Sequence, residues 1–176
     1  SVPIGGGTTT KLSGPLPPDG YVESAFLISP DGATVVYRAD QDAHNVVELY
    51  SVPIGGGTTT KLSGPLIPGG DVYSDFLISP DGATVVYRAD QDTDNVFGLY
   101  SVPIGGGTTT KLGGPLIPEG DVGIDFLISP DGATVVYRAE QDFESDLLYA
   151  VWMQNRWVRA GGTWSEGSNW SSGESP

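Results

Sequence analysis

The chain has 176 residues, and its 22 acidic against 8 basic side chains leave a net charge of −14. A polyanion of this kind repels nucleic acid and anionic membrane surfaces, so neither is an expected partner. With no cysteine and a single histidine, disulfides, thiolate metal sites and multi-histidine zinc sites are excluded; no apolar run is long enough for a membrane-spanning helix.

One stretch, FLISPDGATVVYRA, occurs three times without change, at 26–39, 76–89 and 126–139, a period of fifty. A second, SVPIGGGTTTKL, shares that period at Ser1, Ser51 and Ser101. Repetition at this length signals stacked supersecondary units. We divide the chain into a partial repeat at 1–16, units at 17–66, 67–116 and 117–161, the last with a divergent end, and a Gly/Ser/Trp tail at 162–176. It opens without Met, inside a repeat, so a processed product or part of a longer protein is expected.

In chain order, Thr8, Thr9, Thr10, Lys11 and Leu12 come first. They read as an outer strand with no preceding strands of its own, free to complete another sheet. In the middle unit, strand A is expected at Val72–Ile78, where apolar and polar residues mix without a helical period. The turn Ser79-Pro80-Asp81-Gly82 follows: Pro presets φ, Asp bonds the backbone ahead, and Gly accepts positive φ. Strand B is expected at Thr84–Ala89, strand C at 97–104 and, after a glycine turn, strand D at 109–112. Adjacent apolar pairs such as Val85-Val86 and Leu77-Ile78 require sheets covered on both faces, as radially stacked blades are.

The pattern SPDGATVVYRAD…LYSVPIGGGTTTKL resembles the TolB-like β-propeller repeat. That resemblance implies an all-β fold of four-stranded antiparallel blades: here about three blades plus one spare N-terminal strand. It is nearly silent on function, because such blades serve scaffolds, binding modules and peptidase gates alike. Three blades fall short of the four to eight or so of a closed propeller. Self-association, to close a ring or grow a filament, is the expected remedy. Thr8 to Leu12, Trp152 and Trp157 are the candidate assembly residues.

The loops between strands B and C vary among the units and are acidic. Asp40, Asp42 and His44 in the first, Asp90, Asp92 and Asp94 in the second, and Asp142 and Glu144 in the third mark a candidate ligand-binding face. Asp90, Asp92 and Asp94 have a spacing that can offer oxygens to Ca²⁺, although the mid-loop Gly and distal Glu of a full calcium loop are missing. No other cofactor is expected. A nucleophilic triad would have to rest on His44 alone, and nothing in the pattern singles out two carboxylates with opposed environments, so the chain is read as non-enzymatic. Arg38, Arg88 and Arg138 recur on strand B and are expected to pair with carboxylates.

All four tryptophans, Trp152, Trp157, Trp164 and Trp170, lie near the C-terminus. The tail resembles segments of secreted bacterial repeat and autotransporter-like proteins, which implies a secreted, periplasmic or cell-surface location in a bacterium. The expected function is a propeller module acting by blade-to-blade assembly and by binding through its acidic loop face. The alternatives are an engineered or fragmentary propeller with no ligand, and an accessory domain of a larger secreted enzyme or adhesin.

Overall fold

The run Thr-Val-Val-Tyr-Arg-Ala favours an extended backbone, since its β-branched and aromatic side chains pack on a pleated surface. In the computed structural model, which describes residues 1–118, 120–141 and 147–152, each copy of that run is the second strand of a sheet. Eleven strands are found among the described residues. They are β1 (Val22–Ile28), β2 (Thr34–Ala39), β3 (Glu48–Pro53), β4 (Thr60–Lys61), β5 (Val72–Ile78), β6 (Thr84–Ala89), β7 (Gly98–Pro103), β8 (Thr110–Leu112), β9 (Val122–Ile128), β10 (Thr134–Ala139) and β11 (Leu147–Trp152). They form three antiparallel meanders, β1-β2-β3-β4, β5-β6-β7-β8 and β9-β10-β11. The fold is all-β: two four-stranded sheets and, among the described residues, one three-stranded sheet.

Strands A and B of the middle unit fall where the sequence puts them. Strand D is shorter than expected, and the segment 8–12 is not a strand of any sheet. Its backbone hydrogen bonds among the described residues are those of the Ser1–Thr10 pair, in which each N–H group donates to the other residue's carbonyl at 2.6 and 2.7 Å. Lys61 has Tyr50 as its ladder partner, whereas Lys11 has none among the described residues.

The A–B turns close tightly. Gly82 N–H donates to Ser79 O at 2.8 Å, Ser79 Oγ donates to Asp81, and Thr84 N–H donates back to Ser79 Oγ at 2.9 Å. Gly82 has φ +74°, a value a side chain resists. Each first strand carries a bulge: Val72 faces Ala89 and Phe76 faces Tyr87, so three residues of β5 oppose Arg88 alone. The bulge curls the strand and sets Arg88 beside Asp75, 3.6 Å away.

The cores lie between sheets. One joins Val36, Leu49 and Leu62 of the first blade to Val72, Phe76, Val85 and Tyr87 of the second. Another joins Val86 and Leu99 to Val122, Phe126, Val135 and Tyr137 of the third. Both faces of the middle sheet are therefore covered. β1 instead alternates exposed and half-buried along its whole length, the pattern of a strand covered on one side.

Candidate functional site

The two blade-to-blade seams share one set of polar bonds. Arg38 Nε donates to the carbonyl of Val72 across the first seam at 2.8 Å, and Arg88 Nε donates to that of Val122 across the second at 2.8 Å. Val47 N–H donates to Asp71 Oδ1 at 2.7 Å, and Val72 N–H returns a bond to Val47 O at 2.8 Å. Phe97, Asp121 and Val122 repeat this unit. Among the described residues, arginine makes a close carboxylate pair in the second blade, Arg88 with Asp75, and in the third, Arg138 with Asp125. Its main-chain bond across the seam was not foreseen from the sequence.

Apolar contacts complete each seam. Leu27 packs into the first core and Leu77 into the second. The glycine turns also nest: a Cβ on Gly106 would lie 2.7 Å from Thr60 Cγ2, on the preceding blade's outer strand.

At the first blade the receiving half of a seam stands open. Val22, Phe26 and Ile28 are 41%, 63% and 53% exposed, whereas the equivalent Val72 and Phe76 are 0% and 5%. With Val35, Tyr37 and Ile54 they line an apolar groove of about 360 Å³. Leu12 and Leu16 pack against the floor beside it, as Leu62 and Leu66 do in the next seam. A Cβ on Gly56 would lie 2.6 Å from Thr10 Cγ2, the counterpart of the Gly106–Thr60 approach. The segment 8–12 therefore holds the place of the outer strand of a preceding blade. Tyr21 occupies the position of Asp71 and Asp121 and offers no carboxylate.

At the third blade the inserting half is exposed. Leu127 is 72% exposed, in contrast to Leu27 and Leu77. Among the described residues that sheet has three strands, and β11 forms one edge. Trp152 is the last residue of β11, opposite Thr134. Trp157 lies outside the described residues.

The acidic loops are drawn inward at their bases. Asp40 is inaccessible to solvent and accepts the N–H groups of Tyr21 and Asn45. Burial pushes its carboxyl up, but those N–H donors and the nearby His44 hold it below the usual value. Asp90 does the same for Asp71 N–H at 2.6 Å and Asn95 N–H at 3.3 Å. Asp42 and Asp92 pair with Lys61 and Lys111. Asp94 is exposed and sits over Gly69 of the D–A connection, so the B–C loop and that connection share one end of the blade. Asp90, Asp92 and Asp94 thus have separate tasks. No group of three or more acidic or histidine side chains is placed to hold a cation among the described residues. Asp142 and Glu144 lie outside them.

The glutamine between those aspartates is a structural residue that the motif search missed. Tyr87 Oη donates to Gln91 Oε1 at 2.8 Å and accepts Gly64 N–H at 3.3 Å; burial lifts the Tyr87 phenol to about 12. In the first copy Gln41 Oε1 accepts both the Tyr37 hydroxyl at 2.8 Å and Gly14 N–H at 2.9 Å. The recurrence of Tyr and Gln four residues apart in every copy was the available signal.

No family model matches the sequence. No curated protein matches it either. The fold has solved counterparts: a protein assigned as TolB from Agrobacterium tumefaciens (TM-score 0.57, 25% identity) and TolB from Acinetobacter baumannii (TM-score 0.54, 15% identity), each matched over 79% of this chain. The match covers 46% of the first protein and 32% of the second, so the chain spans less than half the length of either. The likeness is one of blades, in keeping with the three sheets described above.

Proposed function

We propose that this chain is a non-enzymatic propeller module that works through blade-to-blade self-assembly. One observation carries the reading: the apolar face buried between blades inside the chain, at Val72 and Phe76, is exposed at Val22 and Phe26. Exposed apolar patches of this kind mark association surfaces. The acidic loop face has a subordinate role in this reading, since Asp40 and Asp90 already cap backbone N–H groups and Asp42 and Asp92 meet lysines.

The test is the absolute mass of the purified chain by light scattering over a dilution series. A defined multiple that dissociates on dilution supports the reading, and a folded monomer throughout overturns it. Salt supplies a second check. Copies that each carry a charge of −14 repel at long range, so added salt strengthens the association by screening.

A further inference from the structure

Resting on that reading, we propose that the groove at Val22, Phe26 and Ile28 is the docking surface for the third blade of a second copy of this chain, in the register of the internal seams. The occupant follows from repetition. Inside the chain, this groove is filled twice from the same positions of the preceding blade. Leu27, Val36 and Leu49 fill it at the first seam, and Leu77, Val86 and Leu99 at the second. The third blade carries Leu127, Val136 and Leu148 at those positions. Two further members of the seam, Leu12 and Leu16, already sit beside the empty groove. The space that remains is the part a third blade would supply.

The polar half of the seam follows the same register. Arg138 of the second copy reaches the carbonyl of Val22, as Arg38 reaches Val72 and Arg88 reaches Val122. The segment 8–12, already placed as an outer strand, comes to lie along β11 of the second copy. The pairs Tyr50–Lys61 and Ser51–Thr60 have as their counterparts Tyr149 with Lys11 and Ala150 with Thr10. Ser1 now bonds Thr10. Ala150 of the second copy takes its place, so one backbone pair is exchanged for another and none is lost.

Docking of this kind is head to tail: groove meets Leu127 face, and never groove meets groove. Two copies that close on each other make a six-blade ring, and unclosed addition makes a filament. Because Tyr21 lacks the carboxylate that Asp71 and Asp121 bring to the internal seams, the seam between copies is the weaker one. Denaturant therefore separates the copies before the far-UV circular dichroism changes.

The experiment uses two single variants of the full chain, Leu127→Arg and Phe26→Arg. Each changes an exposed side chain, so each is expected to keep the wild-type circular dichroism. Each alone weakens association by at least tenfold. Mixed together they recover a two-chain species that grows no further, because one intact seam remains between a Leu127 face and a Phe26 groove. If the wild type associates and either variant alone does so equally well, the register is wrong while self-assembly stands. If the wild type is a folded monomer at every concentration, both readings fall, and the groove belongs to a blade borne elsewhere.

A second measurement decides the matter should an arginine variant fail to fold. The chain has no cysteine, so chains carrying only Thr10→Cys and only Ala150→Cys can be mixed and oxidised. Directly opposed residues of an antiparallel pair lie within disulfide reach. A mixed disulfide that forms well ahead of either homodimer is expected, and equal yields of all three products overturn the strand pairing.

Discussion

Arg88 Nε donates to Val122 O at 2.8 Å while its guanidinium carbon lies 3.9 Å from the ring centre of Phe97. One side chain thus ties the backbone of the next blade and stacks within its own. Its loss leaves a carbonyl in a closed seam without its donor. Arg88→Ala is expected to cost about 2–3 kcal/mol in urea unfolding, the sum of a charge-assisted bond and a cation–π contact. Arg138→Ala, at a guanidinium 42% exposed and paired with Asp125, is expected to cost less than about 1 kcal/mol. Equal costs at the two sites would refute the assignment of the seam bond.

The carboxylate of the first seam, Asp71, should respond to pH in the opposite sense from those of the turns. Burial pushes Asp71 above the usual value, only partly offset by Val47 N–H and Arg38. Its contribution to stability is therefore complete below the unfolded pKa and lost as pH rises through the folded one. Asp31, Asp81 and Asp131 are held low, first by the serine hydroxyl and then by the N–H two residues on. Their contribution is present above the unfolded pKa and lost as pH falls through the folded one. Asp71→Asn keeps an oxygen for Val47 N–H but sheds the charge, so its stability relative to wild type should rise between acidic and neutral pH. Asp71→Ala orphans that N–H and should cost about 1–3 kcal/mol at both. Urea melts of the three proteins at two pH values check the sign.

The middle blade lacks a carboxylate that the first one has. Glu48 accepts the hydroxyl of Tyr50 at 2.7 Å and pairs with Lys61. Gly98 stands at the equivalent position, and Tyr100 Oη is buried with no hydrogen-bond partner among the described residues. A Cβ at Gly98 would lie 2.7 Å from that oxygen, so any side chain obliges the ring to move. Gly98→Ala makes it move and offers nothing in return. Gly98→Glu also supplies an acceptor, and should be more stable than Gly98→Ala by about 1–2 kcal/mol. Thermal melts of the two variants decide it.

Strands A and B were legible almost to the residue because their signals are local: β-branched runs that end at a Ser-Pro-Asp-Gly turn. The seam was not legible. Asp71 reads as one more acidic loop residue, and its partner, Val47, lies in the preceding copy. Nor can letters distinguish Phe26 from Phe76, since the two stand in identical stretches and differ only in what lies beside them. Nor does D-x-D-x-D spacing reveal that Asp90 turns back to accept the N–H groups of Asp71 and Asn95. The segment 8–12, expected as a strand, lacks a ladder, because a strand is defined by a neighbour.

That outer segment yields a final comparison. Gly6, Gly56 and Gly106 share one conformation, φ +86°, +86° and +89°, so replacing any of them by alanine strains the backbone by about 1 kcal/mol. They differ in surroundings: a Cβ on Gly6 meets nothing within 4 Å, but on Gly56 and Gly106 it strikes Thr10 and Thr60 at 2.6 and 2.7 Å. Gly106→Ala should therefore cost more than strain alone, by about a further 1–3 kcal/mol, as overpacking does. Gly56→Ala carries the same clash against a segment held by a single backbone pair. There the segment swings away rather than the blade unfolding, so global stability should fall by little more than the strain. Release of 1–12 would then show as faster proteolytic trimming of the N-terminus. Equal losses of global stability at Gly56 and Gly106 would mean that 1–12 is as firmly built into the first blade as β4 is into the seam that follows.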